Sequence, residues 1–180
     1  MEVSIRKGYE ALGVDNYYKK HESDYSNPHY PIIKELLNDY VEQNDIGKDI
    51  LDLCCGSGEV SKVLIELNRF NIEGNDPYTS KLYRKETGLN CYEYSFKDIV
   101  CGSFNFKQYD TIICSFAMHL CEESMLNNLI YQLSLITNRL IILTPHKRPN
   151  ISNNYFKLQQ EKIKDRVRLR VYNSSSNSNI

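Results

Sequence analysis

The spacing of apolar positions changes period several times along this 180-residue chain, and each change marks an element. Over residues 27–44, Ile32, Ile33, Leu36, Leu37, Tyr40 and Val41 recur three and four apart, which predicts a helix with one apolar face. Asn27 can cap it and Pro28 suits its first turn, although Pro31 can delay the start. The polar stretch NDIGKD breaks the pattern. Short apolar runs then alternate with amphipathic segments. Residues 49–53 (DILDL) predict a strand, and residues 59–70 a helix with Val60, Val63, Leu64 and Leu67 on one side. Residues 71–75 (NIEGN) are strand-like, and residues 79–88 form a short helix closed by Gly88. A brief strand, CYEY (91–94), leads into a loop and turn through SFKDIVCGSFNF.

The strongest signals follow. YDTIICSF (109–116) reads as a buried strand, and residues 122–137 as a helix with acids in its first turn. RLIILT (139–144) is continuously apolar, as expected of a strand covered on both faces. Residues 153–165 read as a helix. In RVRLRVY (166–172), Val167, Leu169 and Val171 alternate with Arg166, Arg168 and Arg170, the pattern of an edge strand with one solvated face.

Strands alternating with helices predict an α/β fold, a doubly wound and mostly parallel sheet. The expected organisation is an N-terminal helical lid or cap over residues 1–48, an α/β domain over 49–172, and a disordered polar tail over 173–180. Only one strand-like segment follows the last helix, so an abbreviated C-terminal strand set is expected. No internal repeat is visible.

Composition narrows the function classes. The chain is 41% apolar and 25% charged with a net charge of −1, which gives no global attraction to nucleic acid or membrane. No apolar run approaches the roughly 20 residues that cross a bilayer, and MEVSIRKGYEALG lacks the apolar core of a signal peptide. A cytoplasmic protein is expected. The six cysteines (54, 55, 91, 101, 114 and 121) form no C-x-x-C pair and the four histidines are scattered, so free thiols are expected and no structural metal. Cys54 and Cys55 read as small packing side chains.

The candidate chemistry lies in ILDLCCGSGEVSKVL, residues 50–64. In doubly wound sheets ligands bind beyond the carboxyl ends of the strands, beside the loop after the first strand. Here that loop is Cys54-Cys55-Gly56-Ser57-Gly58, whose glycines allow sharp turning and close approach. Asp76, about 20 positions on, sits where an acid can accept from ribose hydroxyls. A dinucleotide loop would carry a third glycine where Ser61 stands. Asp52 also suits a ligand ammonium better than a pyrophosphate.

This combination resembles the class I S-adenosylmethionine-dependent methyltransferases over residues 49–145. ILDLCCGSG is similar to their first motif, IEGNDPY to the second, SFKDI to the third, and YDTIICSFAMHLC to the fourth-strand motif. The departure is Cys54 in place of the first glycine. NDPY at 75–78 is similar to the N-P-P-Y box of amino-directed methyltransferases but follows the second strand rather than the fourth, so base-amino methylation is not inferred.

The resemblance implies S-adenosylmethionine as cofactor. Asp52, Cys54, Gly56 and Gly58 would line its methionine half, and Asp76 with Pro77 its ribose. Asp98 and Ile99, with Phe96, would approach the adenine, and Ser115 the methyl group. Phe116 and His119 are the expected residues on the acceptor side, His119 serving as a base only where the acceptor must lose a proton. Tyr18, in the Tyr-rich segment with Tyr17, Tyr25, Asn27 and His29, would reach the site from above. The expected activity is methyl transfer to an unidentified acceptor, a small molecule first and RNA second. A catalytically silent partner or regulatory subunit is the alternative. For RNA, Lys157, Lys162, Lys164, Arg166, Arg168 and Arg170, with Lys147 and Arg148, form either a phosphate-contacting strip or a solvated face.

Overall fold

The computed structural model describes residues 28–151 and 154–175. Tyr17, Tyr18, Tyr25 and Asn27 lie outside the described residues, as do residues 176–180 of the expected tail. In chain order the elements are α1 (Tyr30–Gln43), β1 (Ile50–Leu53), α2 (Glu59–Glu66), β2 (Ile72–Asn75), α3 (Ser80–Thr87) and β3 (Cys91–Tyr92). There follow α4 (Phe96–Val100), β4 (Thr111–Ser115), a 3-10 turn (Met118–Leu120), α5 (Glu123–Ile136), β5 (Arg139–Thr144), β6 (Phe156–Lys164) and β7 (Val167–Ser174).

Seven strands form one sheet in the order β3-β2-β1-β4-β5-β7-β6. The pairings from β3 through β5 are parallel, and β7 runs antiparallel to both β5 and β6. Successive residues of the central strands face opposite layers. Ile50, Ile113, Ile141 and Leu143 pack with α1 and α2, while Leu51, Leu53, Ile112, Leu140 and Ile142 pack with α5 and Ile99 of α4. Helices on both faces therefore account for the unbroken apolar runs of β4 and β5. Within α1, Ile33, Leu36 and Leu37 are fully buried in the same cluster as β1 and β5. No helix among the described residues is long and apolar enough to cross a membrane.

The C-terminal region corrects two expectations. The segment read as a helix is β6, and with β7 it forms a hairpin that completes the sheet, so the strand set is not abbreviated. Asp165 and Arg166 make the turn with φ of 46° and 68°, the left-handed conformation that two-residue hairpins require. β6 hid from the pattern because it is an edge strand. Most of its residues are exposed, and a register shift between Leu158 and Gln160 breaks the alternation that would mark a strand. β7 runs on through Ser174, two residues into the segment read as a tail.

The hairpin also shows where the basic residues go. Lys162 pairs with Asp39 of α1 at 2.6 Å and Lys164 pairs with Glu35, while Arg168 and Arg170 both approach Glu161, at 3.4 and 3.3 Å. Much of the strip is thus neutralised by the protein's own carboxylates.

On the other flank, Gly74 of β2 is a close-approach position. A Cβ there would lie 2.6 Å from ring atoms of Tyr83 and 3.0 Å from Cys55 Sγ. Tyr83 is fully buried and its hydroxyl meets Ser61 Oγ at 2.7 Å, so the ring has nowhere to retreat. Gly74→Ala is therefore expected to destabilise the fold by roughly 1–3 kcal/mol through overpacking. Thermal denaturation tests this, and an unchanged midpoint would show that the contact between β2 and α3 is slack.

Candidate active site

Strand order reverses between β1 and β4: the chain runs outward to β2 and β3 on one side and to β5 on the other. The carboxyl ends of β1 and β4 splay their connections in opposite directions, which opens a crevice. A cavity of about 400 Å³ lies there, and its lining includes Cys54, Gly56, Asp76, Pro77, Ser115 and Phe116 from the ends of β1, β2 and β4. Tyr78, Tyr94, Ser95, Phe96, Leu120 and Met125 add a largely apolar wall, with Lys97 and Glu122 as charged members.

The loop after β1 is held from β2. The carbonyl oxygen of Asn75 accepts from the N–H of Cys54 at 2.7 Å and of Cys55 at 3.2 Å. This hold puts Cys54 at φ 58°, a left-handed conformation that favours glycine, at a cost of about 1–2 kcal/mol for a residue with a Cβ. Gly56 follows at φ 56° on the cavity wall. Gly58 is different. It caps α2 at φ 89° and is not part of the lining; a Cβ there would come 2.4 Å from Thr87 Cγ2, so it serves the packing of α2 against α3.

Asp76 faces the cavity and is 8% exposed. Its Oδ1 accepts from the N–H of Tyr78 at 2.9 Å and of Thr79 at 3.0 Å, holding the turn that leads into α3. Its Oδ2 has a longer bond, 3.3 Å, from Gly56 N–H. Burial raises its pKa, and these backbone donors oppose the rise. Thr79 Oγ1 donates to the carbonyl of Gly56 at 2.8 Å, so the acid and the loop are fastened from both sides.

Asp52 lies beneath the loop and is not part of the lining. Ser61 donates to its Oδ2 through both Oγ (2.7 Å) and N–H (3.2 Å), whereas its buried Oδ1 has no partner. Burial pushes its pKa up to about 8; the Ser61 hydroxyl opposes this, and the nearby Glu59 and Asp76 carboxylates add to it. An uncompensated acid is thus stored under the cofactor-type loop.

The third motif is built differently from expectation. Asp98 is exposed and outside the cavity lining: Ser95 N–H and Oγ donate to its Oδ2 at 2.9 and 2.6 Å, and Asp98 N–H donates to Ser95 Oγ at 3.2 Å. This capping box starts α4, in a segment read as a loop. Ile99 is buried in the core beside Leu51 and Leu53. Ser95 and Phe96, not Asp98 and Ile99, line the cavity. Asn75 shapes this wall as well, since its side-chain amide donates to the Tyr94 carbonyl (2.9 Å) and accepts from the Tyr94 N–H (3.0 Å).

At the end of β4, Ser115 Oγ is buried without a partner. Phe116 adopts φ 55°, held by a 2.8 Å bond from its N–H to the Leu143 carbonyl, and its ring stacks on His29 at 4.7 Å. His119 sits between two lining residues, Ala117 and Leu120, but is not itself part of the lining. Its ring lies 4.3 Å from that of His146, and its Nδ1 is buried without a partner. Burial, then the neighbouring His146, lowers its pKa to about 4, so the imidazole is neutral at physiological pH.

Sequence reading missed Asn75, Tyr94 and Ser95. The available signal was position, since Asn75 directly precedes Asp76 and the other two directly precede Phe96. A larger hollow of about 500 Å³ opens at the opposite end of the strands, around Asp45, Asp49, Asp110 and Arg139. Its polar groups are already engaged: Asp110 accepts from the N–H groups of Lys48 and Asp49, Asp45 accepts from that of Gly47, and Arg139 donates to the Asp45 carbonyl. The smaller cavity, lined by the unpartnered Ser115 Oγ and with the orphaned Asp52 Oδ1 and His119 Nδ1 behind its wall, is the better candidate.

No family model matches the chain. A Schizosaccharomyces pombe (strain 972) protein described as "Uncharacterized protein C17A5.05c" is 33% identical over 191 residues, covering 82% of this chain and 77% of that protein. Among solved structures, magnesium protoporphyrin IX methyltransferase (ChlM) from Synechocystis PCC 6803 with bound SAM has a TM-score of 0.65 at 15% identity, covering 95% of each chain. The N-methyltransferase NodS from Bradyrhizobium japonicum WM9, in complex with S-adenosyl-L-homocysteine, has a TM-score of 0.64 at 11% identity, covering 93% of this chain and 98% of that one. The chain has the fold of these methyltransferases, and by sequence it belongs to one family with the fission-yeast protein.

Proposed function

We propose that the chain binds S-adenosylmethionine in the cavity between β1 and β4 and transfers its methyl group to a small-molecule acceptor. The observation that carries this reading is the pairing of Asp76 with the Gly56 turn across one cavity wall. The residues present fit the cofactor. Asp76 offers carboxylate oxygens for ribose hydroxyls, and its Oδ2, with the 3.3 Å bond from Gly56 N–H, is held less tightly by backbone donors than Oδ1. Tyr94, Phe96, Leu120 and Met125 supply the apolar, flat-faced wall that a purine requires. Asp52, with an orphaned oxygen beneath the loop, is largely protonated in the ligand-free protein and would give up that proton to face an ammonium bound above it.

When bound, S-adenosylmethionine supplies an electrophilic methyl group whose in-line displacement depends chiefly on positioning. Ser115 and Phe116, at the end of β4, line the same cavity, and in this reading Ser115 faces the methyl group and Phe116 the acceptor. The fixed φ of Phe116 sets where its ring and the His29 ring on it can go. His119, neutral at physiological pH, can take a proton from an acceptor that must lose one. The ion pairs of Lys162, Lys164, Arg168 and Arg170 favour a small molecule over RNA, because these four cations already face three carboxylates, Asp39, Glu35 and the shared Glu161.

Calorimetric titration is expected to show saturable binding of S-adenosylmethionine and S-adenosylhomocysteine but not of NAD; failure of both sulfur compounds to bind sinks the reading. Asp76→Ala should weaken that binding by roughly ten- to a hundredfold, as for lost hydrogen bonds to a charged group. Unchanged affinity would remove Asp76 from the ribose site.

For Asp52, the folded-state pKa of about 8 lies above its ordinary value of 3.8. Its contribution to the stability of the ligand-free protein is therefore full below pH about 4 and is lost as pH rises through about 8. Asp52→Asn should flatten this part of the decline in thermal midpoint from pH 5 to 9 while weakening cofactor binding, and a parallel decline in both proteins would contradict the assignment. With an amine or hydroxyl acceptor, His119→Gln is expected to lower kcat by roughly 10²–10⁴-fold while cofactor affinity holds. Steady-state kinetics with an unchanged kcat would leave His119 a packing residue.

A further inference from the structure

The adjacent cysteines of the loop point to opposite sides of the sheet, and each meets a second cysteine. Cys54 contacts Cys114 of the central strand β4, in the cluster beneath α5. Cys55 turns the other way, and its Sγ lies 3.6 Å from Sγ of Cys91 on β3. Between β1 and β3 runs β2, and a side chain on β2 would stand in the way. The residue there is Gly74, the register partner of Cys91, whose absent Cβ would have come within 3.0 Å of Cys55 Sγ. The gap at Gly74 lets one thiol reach across a strand to the other.

We propose that Cys55 and Cys91 are an oxidation site, and that the disulfide formed there withdraws the cofactor loop from its binding position. The oxidant class is a hydroperoxide. One thiol attacks hydrogen peroxide to give a sulfenic acid and water; the second thiol then displaces hydroxide from that sulfur, giving the disulfide and a second water. Each sulfur loses one electron, and the two peroxide oxygens gain them.

Geometry sets the consequence. Bonded sulfurs stand about 2.0 Å apart, so the 3.6 Å gap must close, and Cys55 is the residue whose movement matters. It is tied to Asn75 by a 3.2 Å bond and directly precedes Gly56, which bonds to Asp76 and Thr79. Drawing Cys55 toward β3 shifts that backbone. The Cys55–Cys91 pair is also the more accessible of the two by local opening, because β3 is a two-residue strand at the sheet edge, whereas Cys114 lies in its centre. Burial and the contact with Cys91 push the Cys55 thiol up, so the packed pair reacts slowly and opening gates the reaction.

The loss of cofactor binding rests on the reading of the cavity proposed above; the cross-link does not. The full chain is treated with hydrogen peroxide, alkylated under denaturing conditions and digested for mass spectrometry, while calorimetry follows S-adenosylhomocysteine binding before oxidation, after it, and after dithiothreitol. The expected result is a Cys55–Cys91 linked peptide two hydrogens lighter than its parts, with affinity reduced by about tenfold or more and restored by the reductant. Cys91→Ser, with Cys91→Ala as a second variant should the first fold poorly, is expected to bind like the reduced wild type and to keep its affinity through oxidation. Absence of the linked peptide overturns the site, and a linked protein of unchanged affinity overturns its effect on the loop. Failure of the reduced wild type to bind S-adenosylhomocysteine counts against the cofactor reading alone, since the peptide map still decides the cross-link.

Discussion

Three parts of the cavity hang from one buried residue. Asn75 uses its carbonyl oxygen to hold the N–H groups of Cys54 and Cys55, and both ends of its side-chain amide to hold the backbone of Tyr94. The loop after β1, the acid after β2 and the wall after β3 are therefore fixed relative to one another at a single position. Asn75 is almost wholly buried, so its bonds do not compete with water. Replacing it with an apolar residue of similar size would leave the N–H and the carbonyl of Tyr94 without their partner, while the backbone hold on the loop would remain.

Around this hub the protein concentrates unfavourable groups. Asp52 Oδ1, Ser115 Oγ and His119 Nδ1 are buried without partners, and all three belong to the carboxyl ends of β1 and β4 or the turn that follows. Cys54 and Phe116, one at the end of each of these strands, hold left-handed backbone conformations that non-glycine residues rarely adopt. The opposite layers show the reverse, with fully buried leucines and isoleucines in continuous contact. The same backbone conformation recurs at Asn68 and in the β6–β7 turn, and a fourth buried orphan, Asn38 Oδ1, lies in α1, so it is the grouping of three orphaned atoms at one end of the sheet that marks a preformed ligand site.

The chain by itself determined the order of elements from α1 to β5 except for α4, because β4 and β5 are covered on both faces and α1, α2 and α5 on one, and burial writes itself into hydrophobic period. It also located the turn at Gly56 and the acid at Asp76, since a tight β-to-α turn and a strand-ending acid are local features. What only the tertiary structure decided depends on contacts between distant segments. β6 is an edge strand whose exposed, bulged sequence carries no alternation, and it is a strand only because β7 pairs with it. Gly58 resembles a ligand glycine in sequence, but the approach of Thr87 makes it a packing glycine. Asp98 turned from a ligand candidate into a helix cap because Ser95 stands three residues before it and α4 starts there. The partnership of Cys55 with Cys91 needed the sheet order and the missing side chain at Gly74 together. Local propensity and period are encoded within a few residues of chain, whereas which side chain meets which across strands is settled only when the sheet closes.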